Sequence, residues 1–219
     1  MRTIHARNVN DAWTQAVQMM LEEGRCEDSR AGPVLVMPCP VMTVYAKPCE
    51  RVLFDRVRDA NPFFHLFEAM WMLAGRNDAE FLNLFVKDFG ARFAQSNGTI
   101  HGAYGFRWRE HFGFDQLDFI VKQLKENPGN RQAVLQMWDT GYAMDLVVKD
   151  WKDRPCNTHV YFRIRDLHLD MTICCRSNDI LWGAYGANAV HFSFLQEYMA
   201  GRIGCAVGLM YQFSNNWHA

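Results

Sequence analysis

The sequence predicts a single α+β domain in which a curved mixed sheet is flanked by helices. Helical stripes and strand-like segments are mixed along the chain, and most of the strands are not joined by hairpin-length turns. Hydrophobic residues make up 49% of the 219 residues, which suits one buried core. The chain contains no repeat, linker or low-complexity tract. We therefore predict one domain over residues 1–219.

The composition excludes several classes of protein. The formal net charge is −1 and no basic run occurs, so direct nucleic-acid binding is not expected. The seven cysteines are scattered and include no C-x-x-C pair, which predicts neither a disulfide framework nor a structural zinc site. Free thiols are typical of a reducing compartment. No segment reaches the roughly 20 apolar residues of a membrane span, and no signal peptide is recognised. These features predict a cytoplasmic protein with no metal and no membrane partner.

The first elements are an amphipathic helix and an irregular strand region. Asn10 and Asp11 are suited to cap the helix, and Gly24 is suited to end it. The apolar residues fall on one helical stripe: Trp13, Ala16, Val17, Met20 and Leu21. The segment Val34–Ala46 is β-branched and apolar but contains two prolines, which favours one or two strands with an edge or a bulge.

A second helix is predicted to be central and buried. Pro62 suits its first turn and Gly75 its end, and the residues between them are apolar almost all round. Glu68 lies in the middle of this helix. A carboxylate rarely occupies such a position unless it is functional or paired. Glu68 is therefore either a site residue or a group at the rim or in an ion pair.

The remaining elements follow in the same mixed order. Asp78 and Asp115 are suited to cap two further helices. The glycine-rich, aromatic stretch between them, residues 98–109, either lets the backbone approach a ligand or forms a tight connection. Strand patterns follow at residues 132–138, 158–165, 167–175 and 206–213, and a helical stripe at residues 188–200.

Cys156 is the candidate nucleophile. It follows a proline, and the guanidinium groups of Arg154 and Arg176 are expected to lower its pKa and raise its thiolate fraction. The alternative is a buried structural cysteine. We assign that alternative to the other six cysteines: Cys26, Cys39, Cys49, Cys174, Cys175 and Cys205.

Polar groups that suit a small phosphorylated ring follow Cys156 in the chain. Arg176 and Ser177 offer a guanidinium fork and a hydroxyl to a phosphate, unless the arginine forms a salt bridge at a strand end. Asp179 is a second carboxylate that can divide proton transfer and anchoring with Glu68. Asn188 is either a helix cap or a donor and acceptor for the edge of a base.

These motifs, in this order, resemble the thymidylate synthase superfamily over nearly the whole chain. The resemblance rests on residues 68–75, residues 104–109, Asn130-Arg131 with Trp138, Pro155-Cys156, and Arg176-Ser177-Asn178-Asp179. It implies a catalytic domain whose sheet pairs face to face in a homodimer. It also implies transfer of a one-carbon unit to C5 of a pyrimidine deoxynucleotide monophosphate, with 5,10-methylenetetrahydrofolate as co-substrate.

The resemblance assigns roles to the reacting groups. The thiolate of Cys156 adds to C6 of the pyrimidine and makes C5 nucleophilic. Tyr104 takes part in removing the C5 proton. Glu68 takes part in proton traffic through ordered water, and Asp179 contacts the pterin of the folate.

The resemblance also assigns the nucleotide ligands. Arg176 and Ser177 match ligands of the phosphate. Arg131 matches an arginine that reaches the phosphate of the neighbouring subunit, which implies the homodimer. His218 matches a ligand of the ribose hydroxyl, and Arg30 is a further candidate for the phosphate.

Differences between this sequence and the synthases near the folate distinguish hydroxymethyl transfer from methyl transfer. The resemblance implies that Trp71 and Lys87 lie at the folate, but synthases carry a tryptophan where this chain has Lys87. The run from Leu84 to Asp88, with Asn157 after the nucleophile, is similar to the viral deoxycytidylate hydroxymethylases. A flexible cation in place of an indole is expected to admit water, which then adds to the nucleotide in place of hydride.

The base is expected to be read at Asn188. Cytosine-specific hydroxymethylases carry aspartate there, whereas an amide can donate to O4 and accept from N3–H of uracil. Because Asn188 suits uracil and Lys87 is expected to admit water, we predict a dUMP hydroxymethylase. The spacing from Gly183 to Asn188 is one residue longer than is usual in the family.

Three other functions stay open. They are a thymidylate synthase with a divergent folate pocket, a dCMP hydroxymethylase and a non-catalytic nucleotide-binding homologue. The chain stops at Ala219, before the further strands and tail of the superfamily, which predicts either a shortened chain or a different closure of the site. Release of label from 5-tritiated dUMP separates the enzymes from the binder, and the product separates the enzymes.

Overall fold

A mixed β-sheet lies at the centre of the computed structural model, which describes residues 1–29, 32–141, 145–146 and 151–219. The strands are β1 (Arg2–Ala6), β2 (Arg25–Ser29), β3 (Gly32–Val36), β4 (Val41–Tyr45), β5 (Val134–Gln136), β6 (Asn157–Arg165), β7 (His168–Asp179) and β8 (Ala206–His218). They are ordered β1-β4-β8-β7-β6-β5, and the β2–β3 hairpin contacts β8. β1 is parallel to β4 and β7 is parallel to β8, whereas the other neighbours are antiparallel. The mixed sheet that the sequence predicts is thus present.

Helices flank this sheet. They are α1 (Val9–Glu23), α2 (Pro62–Leu73), α3 (Glu80–Asn83), α4 (Phe89–Phe93), α5 (Tyr104–Arg109), α6 (Gln116–Glu126) and α7 (Asn188–Ile203). The strands of the sheet are contacted by α1, α5, α6 and α7. A π-helical segment, Ile180–Ala187, leads directly into α7. α7 contacts β7, β8, α2 and α6, and its Phe192, Leu195 and Met199 are completely buried. Within the described ranges, no helix combines the length and apolar character that crossing a membrane requires.

One face of the sheet stays partly exposed, and we call it the uncovered sheet face. On β7, Met171 and Ile173 are buried, whereas the alternate residues Thr172 and Cys174 are half-buried. Strand pairing joins such positions into two rows: Val44, Tyr211, Thr172, Tyr161 and Val134, and Met42, Phe213, Cys174, His159 and Gln136. Because paired residues point to the same side of a sheet, the rows form one continuous strip of largely apolar and aromatic side chains.

The first helix begins earlier than the sequence predicts. Asn8 is the N-cap, and its side chain accepts hydrogen bonds from the amides of Asn10 (3.0 Å) and Asp11 (3.2 Å), the two residues predicted as caps. Leu21 is 74% exposed, because successive residues are about 100° apart on a helix and its neighbour Met20 occupies the buried side. The cap assignment and the inward position of Leu21 are therefore wrong.

The second helix is less buried than the sequence predicts. Trp71 and Met72 are buried, but Phe63 and Met70 are 69% and 55% exposed. α2 packs against α5 and α7, so its opposite side faces outward and the prediction of all-round burial is wrong. Its end is as predicted, because Gly75 adopts a φ of +73°, which a glycine tolerates at this position.

Strand boundaries also differ from the prediction. β5 has three residues, and β8 continues to His218 because its parallel pairing with β7 runs to the end of β7. β1 and β2 are not predicted: β1 has two core-facing residues, and every residue of β2 is exposed. A strand without apolar alternation leaves no periodic signal in the sequence.

A buried ion pair connects α5 to the segment after β5. Arg107 is completely buried and donates to Asp145 through both terminal nitrogens (2.6 and 3.1 Å) and to the backbone oxygen of Met137 (2.6 Å). His101 Nε2 lies 2.7 Å from Asp145 Oδ1. Burial raises the pKa of Asp145, but the hydrogen bonds from His101 and Arg107 outweigh it and lower that pKa.

Asp145→Asn is expected to lower the free energy of unfolding by about 3–5 kcal/mol, because it leaves the Arg107 charge buried without its counter-ion. Urea unfolding followed by circular dichroism measures this loss. Asp118→Asn removes the exposed partner of Arg202 (3.0 Å) and is a matched control, expected to cost less than about 1 kcal/mol. Equal, small losses in the two variants would contradict the prediction.

Candidate active site

A cavity of about 240 Å³ opens beside α2, α5 and α7, and we call it the α2–α7 cavity. Polar side chains from separate elements line it: Glu68, Tyr104, Asp153, Asn188 and His191. Its apolar wall includes Trp71, Met72, Leu82, Phe89, Phe93 and Ile100. Polar groups that converge in an apolar hollow are typical of a ligand site. The cavity brings together Glu68, Tyr104 and Asn188, which the sequence selects as site residues.

A second hollow, of about 430 Å³, lies near the start of α2 and is more apolar. Its lining includes Leu53, Phe63, Val190 and Phe194, and none of the residues that the sequence selects for the site. We therefore place the candidate site in the smaller α2–α7 cavity.

Cys156 lies immediately before β6, next to Arg176 on β7. The amide of Arg176 donates to the backbone oxygen of Cys156 (2.9 Å), and Arg176 Nε donates to the oxygen of Pro155 (3.1 Å). The Arg176 guanidinium lies over the ring of Trp138, 5.3 Å from its centroid. The hydroxyl oxygen of Tyr104 accepts from the amide of Asn157 at 3.3 Å. Tyr104 therefore connects the backbone at Cys156 to the cavity that it lines.

Burial controls the acidity of Cys156. Burial raises the pKa of its thiol, the charge of Arg176 lowers it, and the charges of Asp153 and Asp179 raise it further. The net shift is upward, so the predicted lowering of the pKa is wrong, although Arg176 acts in the predicted direction. Burial also raises the pKa of Tyr104 well above 10, so its phenol keeps its proton at neutral pH.

Alkylation of Cys156 by iodoacetamide at pH 8 is expected to be faster in Asp179→Asn and slower in Arg176→Gln than in the wild type. The reagent reacts with the thiolate, and each unit of pKa changes the thiolate fraction about tenfold when the pKa lies above the pH. Peptide mass spectrometry gives the rate at each cysteine, with the exposed Cys26 as an internal control. Faster alkylation in Arg176→Gln would contradict this account.

Asn188 is held at the cavity by a chain of amide contacts. Its Nδ2 donates to Asn178 Oδ1 (3.0 Å), and Asn178 Nδ2 donates to Ser214 Oγ (3.1 Å). A Cβ at Gly183 would lie 2.7 Å from Asn178 Oδ1, so glycine is needed there. Asn188 is the first residue of α7 and the N-cap position is Ala187, so the cap alternative is wrong. With one N–H engaged, the amide keeps one donor and its oxygen for a ligand.

The segment before Asn188 accommodates the longer spacing noted in the sequence. Residues 180–187 are π-helical with a kink at Gly186. A π-helical turn holds one residue more than an α-helical turn, and such turns are frequent at functional sites. The additional residue therefore widens the turn and leaves Asn188 at the cavity.

Glu68 has two histidine neighbours that the sequence analysis missed. Its Oε2 lies 2.9 Å from His191 Nε2 and 3.9 Å from His65 Nδ1. Burial would raise the pKa of Glu68, but His191 and His65 outweigh it and lower the pKa to about 2. His65 and Glu68 are three residues apart on α2, a spacing that places side chains on one helical face, so two of these three residues had a sequence signal.

Comparison with known proteins agrees with this geometry. The chain matches the family described as thymidylate synthase over residues 13–219. The chain belongs to the thymidylate synthase family. Its fold is accordingly the thymidylate synthase fold, a mixed sheet flanked by helices, and the superfamily predicted from the motifs is confirmed.

Two phage relatives of this thymidylate synthase family chain carry the same name. Over its full length, the chain is 51% identical to a Pseudomonas phage M6 protein named deoxyuridylate hydroxymethyltransferase, of which it covers 62%. Over 82% of its length, it is 36% identical to a Bacillus phage SP01 protein of that name, of which it covers 49%. The chain thus spans about half to two thirds of these relatives. It is also 28% identical, over 94% of its length, to a putative thymidylate synthase of Methanothermobacter thermautotrophicus, 87% of which is covered.

Several residues implied by the family lie together at the end of β7. Parallel pairing sets Ser177 opposite Asn216 and Asp179 opposite His218. His218 Nδ1 lies 2.8 Å from Asn216 Oδ1. Asp179 Oδ1 accepts from the amides of residues 181 and 182 (2.7 and 2.8 Å), so this carboxylate caps the π-helical segment. The contact with a pterin stays a prediction, and Oδ2 takes no part in the capping.

Lys87 and Trp71, the two residues that the resemblance implies at the folate, differ in their relation to the α2–α7 cavity. Lys87 is exposed and lines a separate shallow hollow with Asp88, so the cavity lining does not support its predicted role at the folate. Trp71 lines the cavity and donates its indole N–H to the oxygen of Asp78 (3.0 Å). Arg30 lies outside the described residues, and its role as a phosphate ligand stays a prediction.

Arg131 is exposed at the far end of β6 from Cys156. Phe162 donates its amide to the oxygen of Ala133 (3.0 Å), which sets Arg131 level with Ile164. At roughly 3.3 Å per residue, the eight steps from Cys156 to Ile164 span about 26 Å. Arg131 is therefore too far away to reach a nucleotide at Cys156 of the same chain.

Proposed function

We propose that the protein is a deoxyuridylate hydroxymethyltransferase, which forms 5-hydroxymethyl-dUMP from dUMP, 5,10-methylenetetrahydrofolate and water. The observation that carries the proposal is the 51% identity, over the whole chain, to the phage protein of that name. The site geometry supports it, because Tyr104 accepts a hydrogen bond from the amide of Asn157, next to Cys156, and lines the cavity together with Asn188.

The side chains of this protein supply binding and proton handling. Arg176 and Ser177 bind the phosphate and hold the ring against Cys156, whose thiolate adds to C6. The oriented amide of Asn188 donates to O4 and accepts from N3–H of uracil. Tyr104 keeps its phenolic proton and orders the water that receives the C5 proton.

The co-substrate 5,10-methylenetetrahydrofolate supplies the one-carbon unit. The residues present fit a pterin, because Trp71, Phe89 and Phe93 form an aromatic wall that suits a planar ring. The Oδ2 atom of Asp179, which is not used in capping, is an acceptor for a pterin N–H. These residues would orient the folate and exclude bulk water.

A homodimer completes the proposed site. The uncovered sheet face is a continuous strip of partly exposed side chains from five strands, including Tyr161, Tyr211 and Phe213. Such a strip is typical of a surface that pairs with another protein. A second copy packed on it would bring its own Arg131 toward the phosphate that binds near Arg176.

Mixing two inactive variants tests this shared site. Cys156→Ala and Arg131→Ala are each expected to have little activity alone. Refolded together, they are expected to recover about a quarter of wild-type activity, because half of the dimers are mixed and each has one intact site. A Cys156→Ala, Arg131→Ala double variant mixed with Cys156→Ala is the matched control. A mixture of the single variants that stays inactive would contradict the shared site.

Product analysis tests the proposed function. The protein is incubated with 5-tritiated dUMP and 5,10-methylenetetrahydrofolate in ¹⁸O-water. We expect tritium release and a 5-hydroxymethyl nucleotide that contains ¹⁸O. A 5-methyl product together with dihydrofolate would instead identify a thymidylate synthase, the second candidate, which the family match favours. Absence of tritium release would identify a nucleotide-binding homologue.

A further inference from the structure

Three titratable side chains meet where α2 packs against α7: His65, Glu68 and His191. One nitrogen or oxygen atom of each lies within 4.8 Å of the other two. His191 is 5% exposed, and the side chains of His65 and Glu68 are 16% and 14% exposed. The mechanism above gives the histidines no role, although buried titratable groups next to a ligand cavity are frequently functional.

The three atoms converge without hydrogen bonds of their own. His65 Nδ1, Glu68 Oε2 and His191 Nε2 are all buried, and none has a hydrogen-bond partner of suitable direction in the described part of the chain. A buried water typically makes about three hydrogen bonds to polar groups that are otherwise unsatisfied. These atoms therefore have the number and the position that hold one water molecule.

The separation of these atoms does not suit a tetrahedral zinc site. Glu68 Oε2 and His191 Nε2 are 2.9 Å apart. Ligand atoms around tetrahedral Zn²⁺ would lie about 3.3 Å apart, given bonds of roughly 2.0–2.1 Å. The observed contact is too short for two ligands of one such ion.

The cluster borders the place where the nucleotide is expected to react. Glu68 and His191 line the α2–α7 cavity together with Tyr104 and Asn188. His191 is also one helical turn after Asn188 on α7, which places both side chains on the same side of that helix. A water held at the cluster thus lies at the cavity wall beside the base-reading residue.

We propose that His65, Glu68 and His191 hold and deprotonate the water molecule that becomes the hydroxyl group of the product. This inference rests on the proposed hydroxymethyl transfer and names the residues that carry its last step. His191 and Glu68 act on the water directly, and His65 completes its binding site.

The step balances without an oxidant or a reductant. The water oxygen bonds to the exocyclic methylene carbon on C5 of the nucleotide, and the electrons of that double bond move to O4 as an enolate. One water proton passes to the imidazole of His191. The enolate then re-forms the carbonyl, the C5–C6 double bond forms, and the bond from C6 to the sulfur of Cys156 breaks. The thiolate leaves, and the imidazole returns its proton to sulfur or solvent.

A carboxylate beside an imidazole suits this proton transfer. Burial would raise the pKa of Glu68, but the histidines hold it at about 2, so Glu68 is an anion at neutral pH. The Glu68 anion stabilises the imidazolium as it forms, the role that a buried carboxylate has beside a general-base histidine. Because the cluster holds the reacting water, the addition does not require bulk water in the cavity.

The test separates water addition from the earlier steps. His191→Asn, His191→Gln and His65→Asn are assayed with 5-tritiated dUMP and 5,10-methylenetetrahydrofolate, with and without 2-mercaptoethanol. Tritium release reports removal of the C5 proton, which precedes water addition. We expect the yield of 5-hydroxymethyl-dUMP per tritium released to fall about 100-fold in the His191 variants, the lower range for loss of a general base. The thiol is expected to intercept the methylene carbon, giving a thioether that mass spectrometry detects.

His111→Asn is the matched control. His111 lies 2.7 Å from Asp139 and has the same 16% side-chain exposure as His65, but it is not part of the cluster with Glu68 and His191. Its ratio of product to tritium is expected to equal that of the wild type. Thermal unfolding and calorimetric binding of dUMP without folate check that each variant is folded, and dUMP affinity is expected to stay within about twofold of the wild type.

The possible results distinguish failure of the proposed function from failure of the water site alone. If the wild type makes a 5-methyl product, the proposed function fails, and this inference fails with it. If the wild type makes the hydroxymethyl product but folded His191 and His65 variants keep its ratio of product to tritium, only the water site is overturned. Activity that is lost with EDTA and restored by Zn²⁺ would also overturn it, by assigning the cluster to a metal.

Discussion

Cys156→Ser is expected to abolish both tritium release from 5-tritiated dUMP and formation of product, by a factor on the order of 10⁶ in kcat. The reaction depends on a covalent bond between sulfur and C6, because C5 becomes nucleophilic only after that addition. A serine hydroxyl has nearly the same size but is a far weaker nucleophile at neutral pH. Because no step precedes the addition, tritium release and product formation should disappear together.

The control for this result is Cys205→Ser. Cys205 is also a half-buried free thiol, but its Sγ contacts the oxygen of Ala200 (3.9 Å) at the end of α7. We expect this variant to keep wild-type kcat. Binding of dUMP by Cys156→Ser, measured by calorimetry, should survive because Arg176 and Asn188 remain. Substantial tritium release by Cys156→Ser would show that C5 is activated without this thiol.

The raised pKa of the Cys156 thiol lowers its reactivity in the free protein. Burial outweighs the attraction of Arg176, while Asp153 and Asp179 oppose ionisation. The free protein therefore keeps most of this thiol protonated at neutral pH and protects it from oxidation. A low thiolate fraction also lowers the reactivity of Cys156 toward general thiol reagents.

The sequence motifs predicted those parts of the site that depend on a short motif or on two consecutive strands. At Gly105, a Cβ would lie 1.8 Å from the backbone oxygen of Met72, so the glycine in the Tyr104-Gly105 motif is required by the approach of α5 to α2. Cys156 and Arg176 meet because β6 and β7 are an antiparallel pair with a turn near Asp166, as the strand patterns predicted.

Contacts between distant elements were not predictable from the sequence. His65 and His191 meet because α2 packs on α7, and the sequence pattern of neither helix predicts that contact. For Lys87, a substitution of residue type suggested a role at the folate. The side chain is exposed, and that role stays a prediction. The all-round apolar pattern of α2 predicted complete burial, but α5 and α7 cover only part of its surface.

If Asn188 reads uracil, Asn188→Asp is expected to change the ratio of kcat/KM for dUMP to that for dCMP by about 10⁴-fold in favour of dCMP. A site built to hydrogen-bond one polar edge rejects the wrong edge by roughly this factor, because buried groups are left without partners. An aspartate cannot donate to O4 of uracil, but it accepts from the exocyclic amine of cytosine and from a protonated N3. Initial rates with each nucleotide over a range of concentrations give the ratio.

The surroundings of Asn188 can accommodate this change. Its Nδ2 donates to Asn178 Oδ1, and Asn178 Nδ2 donates to Ser214 Oγ. With aspartate at position 188, the Asn178 amide can turn over, so that its Nδ2 donates to the carboxylate and its Oδ1 accepts from the Ser214 hydroxyl. Asn188→Ala is the control, since it should lower kcat/KM for dUMP without any gain for dCMP. If Asn188→Asp behaves like Asn188→Ala, the base is read by another group. The hydrogen bonds that join Ser214, Asn178 and Asn188 then only stabilise the π-helical turn.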